Sequence, residues 1–416
     1  MFLSVYGRTG MIRTVSTLAI ALLLLSVSDG TTYQGSLTGS GARAMGMGGA
    51  FIAVADDATA ISWNPAGLTR LDEPEAGIAL TFGSGAWNVD LSSDYTVDFD
   101  FDMEEETKLS LNFASGVMPF KIGERHAVAA LGYRKYWDQT QKTTQTFTYY
   151  EDMWAGDFYY DQITSKQDVT GAVIGISPAV AVQLSPMVSL GMTASFMTGN
   201  YESILTDEYS WFGEEMYQAE SEQTSKYSGF TADFGALVDV SPKVRFGAVA
   251  SLPWTLTIKD SESDGQSLED VEQKLPAFFG AGVAVKPTPM LTVALDARHH
   301  PWSKVELDDM ELDWPDATVI RGGLEYILVG ETAVFPLRIG YYIEPLADED
   351  AEEEQLKTSA FTVGGGLILG RITVDLCYVR ASTPFTGSVD LIPADFEITE
   401  NLFTLSGVIH FGPGDE

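Results

Sequence analysis

Stretches in which apolar side chains occupy every second position recur along the chain. In Met187–Phe196, for example, apolar residues at 188, 190, 192, 194 and 196 alternate with Ser, Gly and Thr at the positions between them. Because successive side chains of a β-strand point to opposite faces, this alternation predicts strands with one apolar and one polar face. An apolar face turned to lipid and a polar face turned to a lumen is typical of a transmembrane β-barrel.

The pattern predicts about fourteen such strands. With an even number of strands, the N-terminal and C-terminal ends of the barrel chain both lie on the periplasmic side. Short turns rich in Gly, Pro and Ser, such as Ser185-Pro186 and Gly370-Arg371, alternate with long acidic connections such as 138–170 and 200–228. Short periplasmic turns and long external loops are typical of outer-membrane barrels. A soluble β-sandwich or a secreted adhesin is the alternative, but such a protein would not sort its connections by length. The predicted strands are 75–83, 109–120, 126–137, 171–184, 188–199, 229–240, 244–256, 276–286, 291–302, 318–328, 335–343, 358–369, 372–381 and 402–411.

The N-terminus predicts an exported protein. Arg8 and Arg13 precede the apolar run 18–27, and small residues follow, which is the pattern of a signal peptide over residues 1–28. That run is too short for a membrane helix, and no later stretch approaches the roughly 20 apolar residues that such a helix needs. Met1 and Met11 are alternative translation starts. We therefore predict a signal peptide (1–28), an N-terminal plug or hatch (29–73), a barrel (74–411), a tail (412–416) and a location in the outer membrane of a Gram-negative bacterium.

Composition excludes several classes of function. The formal net charge of −35 argues against a nucleic-acid partner, whereas 45% hydrophobic residues are too many for a disordered polyanion. Cys377 is the single cysteine, so disulfides within the chain and thiolate metal clusters are excluded. His299 and His300 are adjacent in a predicted strand and cannot chelate one metal together. With only four histidines and no nucleophile motif, we expect no enzyme, no cofactor and no metal site.

Three spaced motifs lie between the signal peptide and the first strand. They are Ala42-Arg43-Ala44-Met45-Gly46-Met47-Gly48-Gly49-Ala50-Phe51, Ala55-Asp56-Asp57-Ala58 and Asn64-Pro65-Ala66-Gly67-Leu68. This segment resembles the N-terminal hatch of the FadL-type long-chain fatty-acid transporter family, which includes toluene-uptake relatives. The resemblance implies a fourteen-stranded barrel with the hatch inside its lumen.

The hatch motifs contain the candidate gating residues. Asn64 before Pro65 favours a turn in which the Asn side chain caps a neighbouring amide, and an Asp before Ala58 suits the start of a short helix. The alternative is that these residues only maintain the shape of the plug. By the resemblance and by these patterns, the hatch candidates are Asp56, Asp57, Asn64, Pro65, Ala66 and Gly67.

Two further groups of residues are candidates for function. The first comprises ionisable residues on the polar faces of predicted strands, which either pair to anchor the plug or line a polar transport path: Asp233, Asp296, Arg298, Arg321, Glu325, Arg338 and Asp375. The second comprises aromatic residues of two external connections, which either capture apolar ligands or form an aromatic girdle: Tyr149, Tyr150, Trp154, Phe158, Tyr209, Trp211, Phe212 and Tyr217.

Together these patterns predict passive uptake of hydrophobic small molecules, either long-chain fatty acids or neutral hydrocarbons. The acidic external connections, with eight carboxylates between 90 and 106, would repel a fatty-acid anion. We therefore favour a neutral ligand, or divalent cations that bridge these segments to lipopolysaccharide. The alternative from another class is a barrel that does not transport and serves as a surface scaffold or secretion partner.

Overall fold

The computed structural model describes residues 40–91, 99–105, 108–138, 140–153, 157–211, 214–389 and 392–412. The predicted signal peptide, the two alternative starts and residues 413–416 of the predicted tail lie outside this part of the chain. Two short helices, α1 (Ala42–Gly46) and α2 (Ala60–Trp63), and a 3₁₀ helix (Pro65–Arg70) precede the first strand. No helix in the described residues is long and apolar enough to cross a membrane.

Strands make up nearly all of the rest. In chain order they are β1 (Glu75–Leu91), β2 (Phe99–Glu105), β3 (Lys108–Ile122), β4 (Arg125–Asp138), β5 (Gln141–Met153), β6 (Asp157–Ser185), β7 (Val188–Trp211), β8 (Glu214–Ser241), β9 (Val244–Ser251), β10 (Trp254–Ser263), β11 (Gln266–Ser267), β12 (Val271–Leu275), β13 (Phe278–Thr288), β14 (Leu291–His300), β15 (Glu306–Leu307), β16 (Met310–Glu311), β17 (Ala317–Val329), β18 (Val334–Glu349), β19 (Gln355–Leu369), β20 (Ile372–Val389) and β21 (Ile392–His410).

Fourteen of the described strands form a closed antiparallel ring, in the order β1, β3, β4, β6, β7, β8, β9, β13, β14, β17, β18, β19, β20 and β21. β1 closes the ring because it also pairs with β21, which places Glu75 opposite His410. Each ring strand overlaps one of the fourteen predicted strands, so the predicted barrel is confirmed. Closure leaves no unpaired edge, which is what a sheet needs in hydrocarbon.

The outer face of the ring is apolar. On β17, for example, Ile320, Leu324 and Tyr326 are 44%, 41% and 44% exposed, whereas Arg321 and Glu325 are 6% and 3% exposed on the inner face. A sandwich or an adhesin in water would bury the apolar face instead. This inverted pattern, together with short turns at one end and long connections at the other, places the barrel in the outer membrane of a Gram-negative bacterium.

The long external connections differ from the prediction, because strands continue through most of them. β6, β7 and β8 contain 29, 24 and 28 residues, although about 9–11 residues suffice to cross a bilayer. Their outer parts are rich in Thr, Ser and Tyr, which suit a strand whose backbone pairs with a neighbour. The predicted strand 244–256 is also interrupted, since β9 ends at Ser251 and β10 begins at Trp254, on either side of Pro253, which cannot donate to a ladder.

The segment Ser40–Asp72 lies inside the ring and is called the hatch from here on. Phe51, Ile61 and Leu68 are fully buried. The hatch contacts opposite sides of the wall, since the Ala42 N–H donates to Ser406 Oγ (2.7 Å) on β21 and the Thr193 hydroxyl on β7 donates to Ile61 O (2.9 Å). The lumen is therefore filled at this level.

Candidate functional site

Asn64 joins two parts of the hatch to the wall. Its side-chain amide donates to Ile52 O (2.8 Å) within the hatch and to Ala236 O (3.1 Å) on β8. Its Oδ1 accepts from the Ala66 N–H (3.1 Å) and so caps the 3₁₀ helix, with Pro65 at the first helical position. Asn64 is fully buried, so its side-chain amide depends on these protein groups for its hydrogen bonds.

Glycines let the hatch and the wall approach at backbone distance. A Cβ on Gly191 of β7 would overlap the backbone of Pro65 and Ala66, and a Cβ on Gly67 would overlap Ala55 within the hatch. Ala66 itself is fully buried. Residues 64 to 67 therefore lie in direct backbone contact with the wall.

Arg43 connects the hatch to β17 and also contacts the hatch loop that contains Asp56 and Asp57, called the Asp56–Asp57 loop. Its guanidinium donates to both carboxylate oxygens of Glu325 (2.9 and 3.0 Å), to Asp56 (2.5 Å) and to Asp57 (3.2 Å). Asp57 also accepts from the Thr59 N–H (2.9 Å), directly before α2, whose N-cap residue Thr59 makes no side-chain cap of its own. Bidentate pairing fixes orientation as well as distance, so Arg43 determines where the Asp56–Asp57 loop lies.

The network continues across the inner wall. Arg338 on β18 donates to Glu325 on β17 (2.7 Å) and to Asp375 on β20 (2.5 Å). The side chains of Arg338, Glu325 and Asp375 are only 2%, 4% and 6% exposed. Several buried charges are tolerable only when each is paired. Arg43 of the hatch supplies the second positive charge, through its pair with Glu325.

The other predicted lumen charges also face inward. Asp296 on β14 accepts from the Ile52 N–H of the hatch (2.7 Å). Arg321 lies 3.6 Å from Glu344 and over the ring of Trp63 at 5.8 Å. Asp233 pairs with Arg134 (3.4 Å) in the outer half of the barrel. Arg298 is half-buried on the inner face of β14, two positions from Asp296.

A small crevice separates the hatch from the wall at the end with the short turns. It has a volume of about 50 Å³ and lies between Asp56 of the hatch and Asp239, Arg245 and Lys286 of the wall. An apolar cavity that accepts benzene has a volume of about 150 Å³. The crevice is therefore too small for an aromatic ring.

A buried apolar cluster lies at the opposite end of the lumen, where strands lead into the long connections. Phe278 begins β13, His300 ends β14, and a short 3₁₀ helix begins at Trp302. The Phe278 ring centroid lies 4.7 Å from that of His300 and 5.2 Å from that of Trp302, and the His300 and Trp302 rings are stacked at 5.1 Å. We call this the outer cluster; besides His300 it contains Tyr136, Val173, Met197, Trp254, Leu256, Leu275, Phe278, Trp302, Val305 and Ala317.

The residues 301–316 cover the outer cluster and are called the cover. Val305 is fully buried in the cluster, and Leu312 and Trp314 pack against it. Polar contacts join the cover to its surroundings at several points: β15 pairs with β12, the Asp308 N–H donates to Glu272 O (2.9 Å), and Lys274 pairs with Glu306 (3.2 Å). Within the cover, the Ser303 N–H donates to Asp316 (3.0 Å). The backbone N–H of Ser303 lowers the pKa of Asp316 because it stabilises the carboxylate.

The predicted capture aromatics are only partly described. Trp154 and Phe212 lie outside the described residues, and the backbones of Tyr149, Tyr150, Phe158 and Trp211 lie on β5, β6 and β7. Tyr209 lies opposite Tyr217 on neighbouring strands, and Tyr217 is 67% exposed. Their role in capture stays a prediction.

The acidic external residues form no metal site in the part of the chain that is described: no three His, Cys, Asp or Glu residues are grouped to hold an ion. Asp350, at the tip between β18 and β19, instead accepts the backbone N–H groups of Glu352 and Glu354 at 2.9 and 3.0 Å. The hydrogen bond from Glu354 lowers the pKa of Asp350. Divalent cations at lipopolysaccharide therefore stay a prediction.

Comparison with solved structures assigns the architecture. No protein-family model and no curated protein matches the sequence. The P. putida toluene transporter TodX matches at 13% identity and a TM-score of 0.60, over 91% of this chain and 100% of that chain. The chain has a FadL-type fold. Further matches with this fold are a Pseudomonas aeruginosa FadL homologue (11% identity, TM-score 0.57, 89% of this chain and 98% of that chain) and the Ralstonia pickettii toluene transporter TbuX (12% identity, TM-score 0.56, 91% and 100%). The resemblance noted in the hatch motifs is thus confirmed at the level of the fold.

Within this FadL-type fold, sequence reasoning missed two features of the site. Arg43 was not a candidate, although it is the only basic residue between 40 and 69 and lies close to two aspartates. The outer cluster was missed as well. A signal for it exists, because Asp296, Arg298 and His300 share one phase of the alternation, which places His300 on the inner face.

Proposed function

We propose that this chain is a passive outer-membrane transporter for hydrophobic small molecules. The observation that carries the proposal is the outer cluster: an apolar, aromatic surface buried inside the lumen, on the external side of the hatch. Apolar pockets with a few polar groups are the usual sites for small ligands. The three structures compared above are named toluene transporters and a FadL homologue, which agrees with transport and not with an enzyme.

In this proposal, a ligand reaches the outer cluster after the cover moves and leaves past the hatch down its concentration gradient. Because the crevice beside the hatch is smaller than an aromatic ring, a ligand that leaves by this route requires the hatch to shift. The proposed gating elements are the Asp56–Asp57 loop, which lines the crevice, and the segment 64–67, which joins the hatch to β7 and β8.

The close packing of the hatch also favours a second candidate function. A plug that never moves would make the barrel a scaffold or secretion partner, with the hatch as a structural filler. The two candidates differ in whether fixing the hatch has any effect on uptake.

A reversible cross-link between hatch and wall tests the proposal. Thr69 Oγ1 lies 2.8 Å from Ser189 Oγ on β7, so Thr69→Cys with Ser189→Cys places two sulfurs within bonding reach. A matched control exists in the wall alone, where Ser177 Oγ and Ser195 Oγ are also 2.8 Å apart on β6 and β7. The native Cys377 is buried and does not interfere.

The measurement is uptake of labelled toluene by cells of a Gram-negative host that lacks a transporter of its own. We expect toluene uptake through the oxidised hatch–wall variant to fall to the level of cells without the protein and to recover after reduction. Uptake through the wall–wall variant should stay at the native level before and after reduction. Uptake that is equal with and without the native protein would contradict transport and favour the scaffold. Full uptake through the oxidised hatch–wall variant would contradict only the movement of the hatch and not transport itself.

A further inference from the structure

His300 has a polar atom without a partner inside the outer cluster. The residue is 7% exposed, and its Nδ1 is buried with no hydrogen-bond partner among the described residues. Rings cover it on two sides, since Phe278 and Trp302 lie 4.7 and 5.1 Å away. Buried polar atoms are nearly always paired, and an unpaired one is costly unless a ligand or water completes it.

The surroundings of His300 favour the neutral imidazole. Burial among aromatic rings disfavours a charged ring, and the positive charge of Arg298, two positions earlier on the same inner face, disfavours it further. A neutral imidazole has one nitrogen that donates and one that accepts, and Nδ1 can take either role depending on the tautomer. A hydroxyl group satisfies Nδ1 in either case, because it both donates and accepts.

We propose that the outer cluster binds an aromatic ligand that carries one hydroxyl group, with the ring on the aromatic side chains and the hydroxyl hydrogen-bonded to Nδ1 of His300. This inference rests on the proposed function and narrows its substrate class to phenol-like compounds. A plain hydrocarbon leaves Nδ1 unpaired. A carboxylate would have to lose its hydration among aromatic rings after passing acidic external segments.

The cover provides the space for such a ligand. The outer cluster is packed, so one of its side chains must move aside for a ring to enter. Trp302 belongs to the cover, which lies outside the ring of fourteen strands, whereas Phe278 and His300 belong to the ring strands β13 and β14, where they pair with Ser251 and Ala317. Displacement of Trp302 therefore exposes the faces of His300 and Phe278 without breaking the barrel.

Binding of p-cresol and of toluene to the purified full-length protein in detergent tests the inference, since these probes differ only by the hydroxyl group. We expect p-cresol to bind at least about tenfold more tightly, as measured by calorimetry, because only p-cresol pairs the buried nitrogen. His300→Phe should remove this preference while toluene binding persists. Trp302→Ala should tighten the binding of both probes and leave the preference unchanged.

His299→Phe is the matched control, because the neighbouring His299 faces outward and contacts Thr318 at 3.0 Å. This variant should keep the preference of the native protein. Equal affinity of the native protein for the two probes would overturn the inference without any variant, and so would an unchanged preference in folded His300→Phe. In either case, uptake of toluene by cells would still support the proposed function. Absence of any uptake of hydrophobic molecules would contradict the proposed function itself.

Discussion

Loss of Arg43 should open the lumen, because this side chain is the shared partner of three carboxylates. It pairs with Glu325 of the wall and with Asp56 and Asp57 of the hatch. Replacement by Gln keeps a side chain that donates hydrogen bonds but removes the charge. Glu325 still has Arg338, so the two hatch aspartates lose most, and the Asp56–Asp57 loop should leave the wall.

The magnitude follows from burial. Removing one partner of a buried ion pair costs about 3–5 kcal/mol. The side chains of Arg43 and Asp56 are 23% and 24% exposed, so water compensates for part of the loss and we expect about 2–3 kcal/mol. At about 1.4 kcal/mol for each factor of ten, the lower figure raises the population of displaced hatch about 30-fold.

The assay is influx of nitrocefin, a polar chromogenic substrate, into intact cells that contain a periplasmic β-lactamase. Lys166→Gln is the control, because Lys166 pairs with Glu208 (2.8 Å) in the exposed part of the barrel, with side chains 50% and 32% exposed. Exposed pairs contribute about 0–1 kcal/mol, so the control should match the native protein. Influx through Arg43→Gln equal to that through Lys166→Gln, with both barrels folded, would refute the view that this network closes the lumen.

Two further outcomes are expected. Gly191→Val should displace the segment around Pro65 and raise nitrocefin influx, whereas Gly365→Val should have little effect because a Cβ there meets no atom within 4 Å; equal influx through both variants would contradict a close hatch–wall contact at Gly191. Uptake of labelled toluene should exceed that of labelled oleate both with and without a divalent chelator if the ligand is neutral, and a preference for oleate regardless of chelator would count against a neutral ligand.

The sequence could predict the barrel because one simple rule governs every strand. Alternation separates inward from outward positions, so Arg321 and Glu325 could be placed in the lumen, and Ile320 and Leu324 against lipid, without knowledge of any neighbour. The outer parts of β6, β7 and β8 were missed as strands because no membrane imposes the alternation there. Their strand structure depends on pairing between neighbours, to which a single segment gives little clue.

The contacts of the hatch could not be predicted from the residues alone. Asn64 was a candidate cap, and it does cap Ala66. Its bond to Ala236 joins positions 172 residues apart, and nothing local to either position indicates the other. The resemblance to a known family supplied the location of the hatch, whereas the partners of Arg43 required coordinates.

Two independent features point to the same class of ligand. The external segments are acidic. Inside the lumen, Arg43 and Arg338 are both paired with carboxylates of the protein, so neither is available to pair with an anionic ligand. The outer cluster offers instead aromatic faces and one unpaired neutral nitrogen at His300. A carboxylate would meet repulsion outside and desolvation inside. A neutral aromatic molecule meets neither, and a hydroxyl group on it would pair the nitrogen that the protein leaves open.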